Sequence, residues 1–107
     1  MTKIYNKLIR DKILEMIARE GKTYEVETLN DTDYKQALRN KVVEEAQEVS
    51  AASDDDLITE IADLYEVIDA LIAIYGLSKS DIIQKQHERR EIRGGFDKRL
   101  KLISTSD

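Results

Sequence analysis

Four carboxylates in the middle of the chain are spaced so that they pair on helix faces. Glu45 and Glu48 are three residues apart, and so are Glu60 and Asp63. Side chains three residues apart are neighbours on a helix, so each pair directs two carboxylates to one place. Mg²⁺ binds carboxylate oxygens, waters and substrate phosphates in proteins. The spacing therefore predicts a site for a divalent cation.

These acidic pairs lie where apolar side chains are expected. At about 100° per residue, Glu45 falls within the apolar stripe of its helix, between Leu38 and Ala52. Glu60 falls within the stripe of the next helix in the same way. A solvated acidic face is the usual interpretation of one such pair, but two inward pairs on neighbouring helices argue against it. Carboxylates that converge there need a cation, because each loses hydration that only a positive partner offsets.

The basic residues near these four acids are too few to neutralise them, and this favours a metal ion. Lys41 is the only basic residue between positions 41 and 69, and it cannot balance four acids. Mg²⁺, or alternatively Mn²⁺, could do so. A di-iron bundle is the rival site, but it requires a Glu-x-x-His pair on each of two helices. His87 is the only histidine, and Gln84 precedes it by three residues.

The elements that would hold the acids predict an all-α, four-helix, bundle-like fold. The first helix is expected from about Lys3 to Glu20, with Gly21 as its stop. The second begins at Asn30 or Asp31. The third follows Ser53 and closes at Gly76, and the fourth begins at Ser78 or Ser80 and ends before Gly94. The short connection between the second and third helices makes them antiparallel neighbours.

Two further expectations concern pairing. Residues 24 to 29 and 96 to 103 are candidates for a short two-stranded pairing. At 107 residues the whole chain, 1 to 107, is expected to form a single domain. Because so small a helical domain often completes its core with a second copy, we expect a homodimer or a homotetramer.

Basic residues near both ends are candidates for binding substrate phosphate. Lys85, Arg89 and Arg93 are four residues apart and form one stripe on the fourth helix, which ends at two glycines. Lys7 and Arg10 belong to the basic N-terminal segment. Arginine binds phosphate with two hydrogen bonds, and glycine lets backbone N–H groups approach an anion. A solubilising face, or surface ion pairs with nearby acids, is the alternative for each group.

Composition argues against several classes of protein. The net charge of −5 and the acidic middle argue against nucleic-acid binding, which needs a basic face. The chain has no cysteine, and no apolar run approaches the roughly 20 residues of a membrane span. Its N-terminus lacks the apolar core of a signal peptide, so a soluble, cytoplasmic protein is expected. Neither a P-loop nor a Rossmann glycine motif is present.

Two acidic strings resemble a known signature. Residues 44 to 48 (EEAQE) and 60 to 63 (EIAD) resemble the EExxE…ExxD pattern of the all-α nucleoside triphosphate pyrophosphohydrolases, which include MazG-like proteins and phosphoribosyl-ATP pyrophosphohydrolases. Residues 5 to 13 (YNKLIRDKI) and 93 to 96 (RGGF) resemble a small MazG-like subgroup. The resemblance covers nearly the whole chain.

The resemblance implies a Mg²⁺-dependent enzyme that cleaves a nucleotide between its α and β phosphates, releasing a monophosphate and pyrophosphate. By position, Glu45, Glu48, Glu60 and Asp63 match the metal ligands of the family. Glu44 matches the first acid, which would act with Glu45 in catalysis by orienting water or a ligand. A non-catalytic module that binds nucleotide or metal on the same scaffold is the alternative, and a purely structural helical protein is a third.

Overall fold

The computed structural model covers all 107 residues and contains four α-helices and no β-strand. The helices are α1 (Ile13–Arg19), α2 (Asp31–Ala51), α3 (Leu57–Ile74) and α4 (Lys79–Arg93), and one 3₁₀ turn (Asp54–Asp56) precedes α3. The predicted all-α class is confirmed. None of these helices combines the length and the apolar character needed to cross a membrane.

The chain divides into two compact units, Met1–Gly76 and Leu77–Asp107. The first contains α1, α2 and α3, and the second contains α4 and the C-terminal segment. The single domain expected over residues 1 to 107 stays a prediction.

Two helices begin at the polar residues that the sequence indicates. The Asn30 side chain accepts a hydrogen bond of 2.8 Å from the backbone N–H of Asp33, and Ser78 accepts one of 3.2 Å from Asp81. Such caps satisfy backbone donors that a helix start leaves unpaired. Ser53 behaves differently, because its hydroxyl donates to the Asp56 carboxylate at 3.2 Å and caps no backbone group.

The prediction for the first helix was too long. It expected a helix from about Lys3 to Glu20, whereas α1 begins at Ile13 and ends at Arg19. Asn6 has a positive φ of 45°, a left-handed conformation that a right-handed helix cannot contain. The segment before α1 is therefore irregular, and this leaves its basic side chains free to reach other elements.

The predicted strand pairing is wrong. Residues 24 to 29 form no regular structure, and Tyr24 and Val26 are exposed. Within residues 96 to 103, Arg99 has a φ of 59°, and its N–H donates to the Phe96 carbonyl at 3.0 Å. This turn interrupts the extended conformation, and an isolated two-stranded pair is at best marginally stable in water.

Packing in the first unit is centred on α2 and α3, the predicted antiparallel neighbours. Leu38 of α2 and Val67 of α3 are its buried apolar residues. Arg39, near the start of α2, donates a hydrogen bond of 3.0 Å to the hydroxyl of Tyr75, just past the end of α3. The Lys35 ammonium lies 4.9 Å from the centre of the same ring. These contacts join opposite ends of the two helices and confirm the antiparallel arrangement.

Candidate metal centre

Three carboxylates from the two antiparallel helices meet in the first unit. Ligand oxygens of Glu45 on α2 and of Glu60 and Asp63 on α3 all lie within 4.8 Å of one another. We call these three residues the acid cluster. All three are partly buried, and the Glu45 side chain is only 14 % exposed. The helical spacing thus brings together three of the four predicted ligands.

Glu48, the fourth predicted ligand, lies outside the acid cluster. Its side chain is exposed, and its carboxylate is not among those that lie within 4.8 Å of one another. It is still close enough for its charge to raise the pKa of Glu60. Glu48 therefore belongs to the electrostatic surroundings of the cluster, while its role as a ligand stays a prediction.

Glu60 has a pKa above its ordinary value. Partial burial is the largest cause, and the negative charges of Asp63, Glu48, Glu45 and Asp56 add to it, in that order. Each of these effects disfavours the ionised carboxylate. The raised pKa thus reflects first the partial burial of this carboxylate and then the negative charges around it.

Lys41 and Glu44 form a second group of charges beside the acid cluster. The Lys41 ammonium lies 3.1 Å from a Glu44 carboxylate oxygen and 3.8 Å from one of Glu45. Partial burial acts to raise the pKa of Glu44, but the hydrogen bonds and charges of Lys41 and Lys7 outweigh it and leave that pKa below its ordinary value. Glu44 is therefore held in its ionised form, and its contacts are with basic side chains.

Lys41 was missing from the predicted site residues. It was considered only as an insufficient counter-charge, yet its side chain is 14 % exposed and contacts both glutamates. The signal was in the sequence, because positions 41, 44 and 45 have the spacing at which oppositely charged side chains pair on a helix.

The N-terminal segment brings two of the predicted basic residues to these acids. The Arg10 guanidinium donates a hydrogen bond of 2.8 Å to Asp63, and the Lys7 ammonium lies 3.4 Å from Glu44. Both basic side chains are exposed, whereas the carboxylates they contact are partly buried. The segment is irregular, so no helical periodicity could have indicated these contacts.

The other predicted basic residues lie in the second unit, on α4. Lys85 pairs with Glu88 at 3.0 Å. Arg89 and Arg93 line an open concavity together with Gly94 and Gly95. Two of the three stripe residues thus lie beside the glycines, and phosphate binding by the stripe stays a prediction.

Arg90 also lines this concavity and was missed by the sequence reasoning. Its carbonyl accepts a hydrogen bond of 2.7 Å from the Gly94 N–H. Its guanidinium lies 3.5 Å from the point where a Cβ on Gly95 would sit, so a larger residue there would contact the arginine. The position of Arg90, four residues before Gly94, was the available signal.

Comparisons of the chain with protein-family profiles, with curated proteins and with solved structures found no significant match. The resemblance to MazG-like proteins therefore rests on the four short strings described above.

The donor set of the acid cluster fits a hard divalent cation. Carboxylate oxygens are the ligands that Mg²⁺, Ca²⁺ and Mn²⁺ prefer, and no histidine or cysteine that would favour zinc or copper takes part. Exposed acids also cluster in proteins without binding an ion. The features that favour a bound cation here are the partial burial of all three residues and the raised pKa of Glu60.

Proposed function

We propose that this protein is a Mg²⁺-dependent nucleotide pyrophosphohydrolase that cleaves the bond between the α and β phosphates of a nucleoside triphosphate. The observation that carries the proposal is the convergence of Glu45, Glu60 and Asp63 within 4.8 Å between two antiparallel helices. The resemblance to the EExxE…ExxD signature indicates the type of reaction. The acid cluster is the site at which the cation that this reaction needs would bind.

The residues of the first unit divide into two roles under this proposal. Glu45, Glu60 and Asp63 would hold Mg²⁺, or alternatively Mn²⁺, with Glu48 as a further ligand. When bound, such an ion supplies Lewis-acid chemistry by withdrawing charge from phosphate oxygens and making water more acidic. Mg²⁺ sites commonly combine one or two carboxylates with substrate phosphates, so a few protein ligands suffice.

Basic side chains would bind the phosphates of the nucleotide. Arg10 already contacts Asp63 of the acid cluster at 2.8 Å, and Lys7 contacts Glu44 beside the cluster at 3.4 Å. Both are exposed enough to exchange a carboxylate for a phosphate oxygen. Lys85, Arg89 and Arg93 of α4 are further candidates for phosphate binding, and Arg90 joins them because it lines the same concavity as Arg89 and Arg93.

Glu44 suits a positioning role better than proton abstraction. Its carboxylate bonds Lys41 and Lys7, and its pKa is lowered, which makes it a weaker base. We infer that it orients these two ammonium groups. Glu45, the other residue expected in catalysis, belongs to the acid cluster and would act there as a ligand.

The test is release of pyrophosphate from a panel of nucleoside triphosphates and phosphoribosyl-ATP in the presence of Mg²⁺. Wild type is compared with Glu45→Gln and Glu60→Gln. The matched control is Glu66→Gln, which makes the same change at an exposed position of α3 outside the acid cluster. We expect loss of turnover in the first two variants and wild-type rates in the third.

Two outcomes would contradict the proposal. Equal rates in all four proteins would mean that the acid cluster takes no part in the reaction. Tight Mg²⁺-nucleotide binding by calorimetry, with no turnover of any substrate, would instead identify the non-catalytic binding module.

A further inference from the structure

Tyr5 is an exposed aromatic residue that lies near the candidate metal centre. It belongs to the irregular N-terminal segment and is 60 % exposed. Two ammonium groups of the same segment approach its ring: that of Lys3 lies 5.0 Å from the ring centre, and that of Lys7 lies 5.9 Å from it. Cations at such distances are attracted by the negative face of an aromatic ring. An aromatic ring among positive charges suits a ligand that combines negative charge with a flat ring of its own.

Lys7 connects this ring with the charged residues of the metal centre. Its ammonium lies over the Tyr5 ring and is also 3.4 Å from the Glu44 carboxylate. Glu44 in turn accepts a hydrogen bond of 3.1 Å from Lys41, whose ammonium lies 3.8 Å from Glu45 of the acid cluster. One lysine side chain therefore separates the ring from the charged groups beside the cluster.

A second contact fixes the N-terminal segment in place. Three positions after Lys7, the Arg10 guanidinium donates a hydrogen bond of 2.8 Å to Asp63 of the acid cluster. The segment is thus attached to α2 through Lys7 and to α3 through Arg10, and Tyr5 lies two positions before the first of these contacts. All of these residues belong to the first unit, so the location of Tyr5 near the cluster follows from contacts within that unit.

The tyrosines of α2 and α3 are less suitably placed for a ligand of the acid cluster. Tyr34 and Tyr75 lie eleven and twelve positions from the nearest cluster residue of the same helix, or about 16 to 18 Å along its axis. Tyr65 lies two positions from Asp63 and therefore about 200° around the helix from it. In a nucleotide only the ribose separates the base from the α-phosphate, so the base must lie close to the bound ion.

We propose that the base of the nucleotide stacks on the ring of Tyr5, while Lys3 and Lys7 leave the ring and bind the phosphates. The proposal rests on the nucleotide substrate proposed above and adds the residue that binds its base. A stacked base stabilises a complex more than a cation over an exposed ring does, so the base displaces the two lysines. The displaced ammonium groups then pair with phosphate oxygens beside the ion.

Stacking on Tyr5 has a consequence for the choice of substrate. Every base has a π face, so an aromatic ring that stacks on it does not distinguish one base from another. A ligand without a base gains nothing from the ring. Tyr5 should therefore favour purine and pyrimidine nucleotides alike over inorganic polyphosphate.

The test is calorimetric titration of the full chain, in the presence of Mg²⁺, with the α,β-methylene analogues of ATP and CTP, whose bridging carbon blocks cleavage. Wild type is compared with Tyr5→Ala and Tyr5→Phe. We expect Tyr5→Ala to bind both analogues at least about fivefold more weakly, the lower limit for the loss of one base stack. Tyr5→Phe keeps the ring and should bind them as wild type does. Inorganic tripolyphosphate has no base and should bind Tyr5→Ala no more weakly than wild type.

The matched control is Tyr24→Ala, which should bind the analogues as wild type does. Tyr24 is similarly exposed, at 52 %, lies in an irregular segment and has no cation over its ring. Equal affinity of wild type and Tyr5→Ala for the analogues, an equal loss for tripolyphosphate, or a wild type that binds neither analogue would overturn the proposal. A wild type that binds the analogues but releases no pyrophosphate from nucleotides would contradict the pyrophosphohydrolase alone, because the affinities still decide the role of Tyr5.

Discussion

The Arg10 guanidinium donates a hydrogen bond of 2.8 Å to the Asp63 carboxylate on α3, so the irregular N-terminal segment contacts one member of the acid cluster. Asp63 is also a predicted metal ligand. Arg10 therefore provides positive charge at the position where the proposed ion would bind, and the two cations compete for one carboxylate.

Replacing Arg10 by glutamine should strengthen Mg²⁺ binding in the absence of nucleotide. Exposed ion pairs contribute up to about 1 kcal/mol, so the affinity should rise by up to about fivefold. Affinity for Mg²⁺-nucleotide should fall, because Arg10 is a proposed phosphate ligand. Calorimetric titration with MgCl₂ measures the first effect. Arg19→Gln is the control, since Arg19 pairs with Glu15 and not with the cluster, and unchanged or weaker Mg²⁺ binding in Arg10→Gln would contradict the prediction.

Removing one carboxylate of the cluster should weaken the stabilisation of the protein by Mg²⁺. An ion that binds only the folded state raises the melting temperature. We expect this rise in wild type, and binding at least about tenfold weaker, or about 1.4 kcal/mol, in Glu45→Gln and Glu60→Gln. Thermal unfolding followed by circular dichroism gives the readout. The melting temperature of Glu66→Gln should rise with Mg²⁺ as much as that of wild type does. A wild-type melting temperature that Mg²⁺ leaves unchanged would rule out the metal site.

The raised pKa of Glu60 predicts how stability depends on pH without metal. The folded state holds this pKa above its value in the unfolded chain, so between the two values the folded state binds more protons. Burial of the ionised Glu60 carboxylate and its repulsion by neighbouring acids therefore destabilise the fold at neutral pH, and both effects are relieved as the pH falls through the raised pKa.

Glu60→Gln removes that titration and should melt at a higher temperature than wild type at neutral pH in EDTA. The difference should shrink on acidification and vanish below the ordinary glutamate pKa of about 4.3. Melting curves at a series of pH values measure it, with Glu66→Gln as the reference variant. A Glu60→Gln protein that is less stable than wild type at neutral pH would show that the carboxylate stabilises the fold instead.

Replacing Lys41 by methionine should destabilise the first unit. Lys41 is largely buried and contacts Glu44 and Glu45. Its loss should lower the free energy of unfolding by about 1–2 kcal/mol, between the values for exposed and fully buried ion pairs. Urea denaturation measures the change. Lys22→Met, which removes an exposed pair with Glu20, should have little effect, and equal stability of the two variants would contradict the prediction.

The helices that carry the acids were predictable because their signals are local. Apolar spacing along α2 and α3, the cap at Asn30 and the short connection after α2 together predict two antiparallel helices. Glu45 and Glu60 interrupt the apolar stripes, which predicts that they face the neighbouring helix. The sequence-based prediction was wrong where the local pattern does not determine the backbone conformation. In the predicted first helix, for example, Asn6 adopts a left-handed conformation.

The amino-acid sequence by itself determined the helical class, the antiparallel pair and three carboxylates that converge between its helices, because helical periodicity places side chains relative to their own axis. Only the tertiary structure decided which charges meet across the first unit. It left Glu48 in solvent, brought Arg10 to Asp63 over 53 positions of chain, and brought Lys7 to Glu44. These contacts depend on the rotation and offset of α2 against α3 and on the path of an irregular segment, and no local pattern encodes either of them.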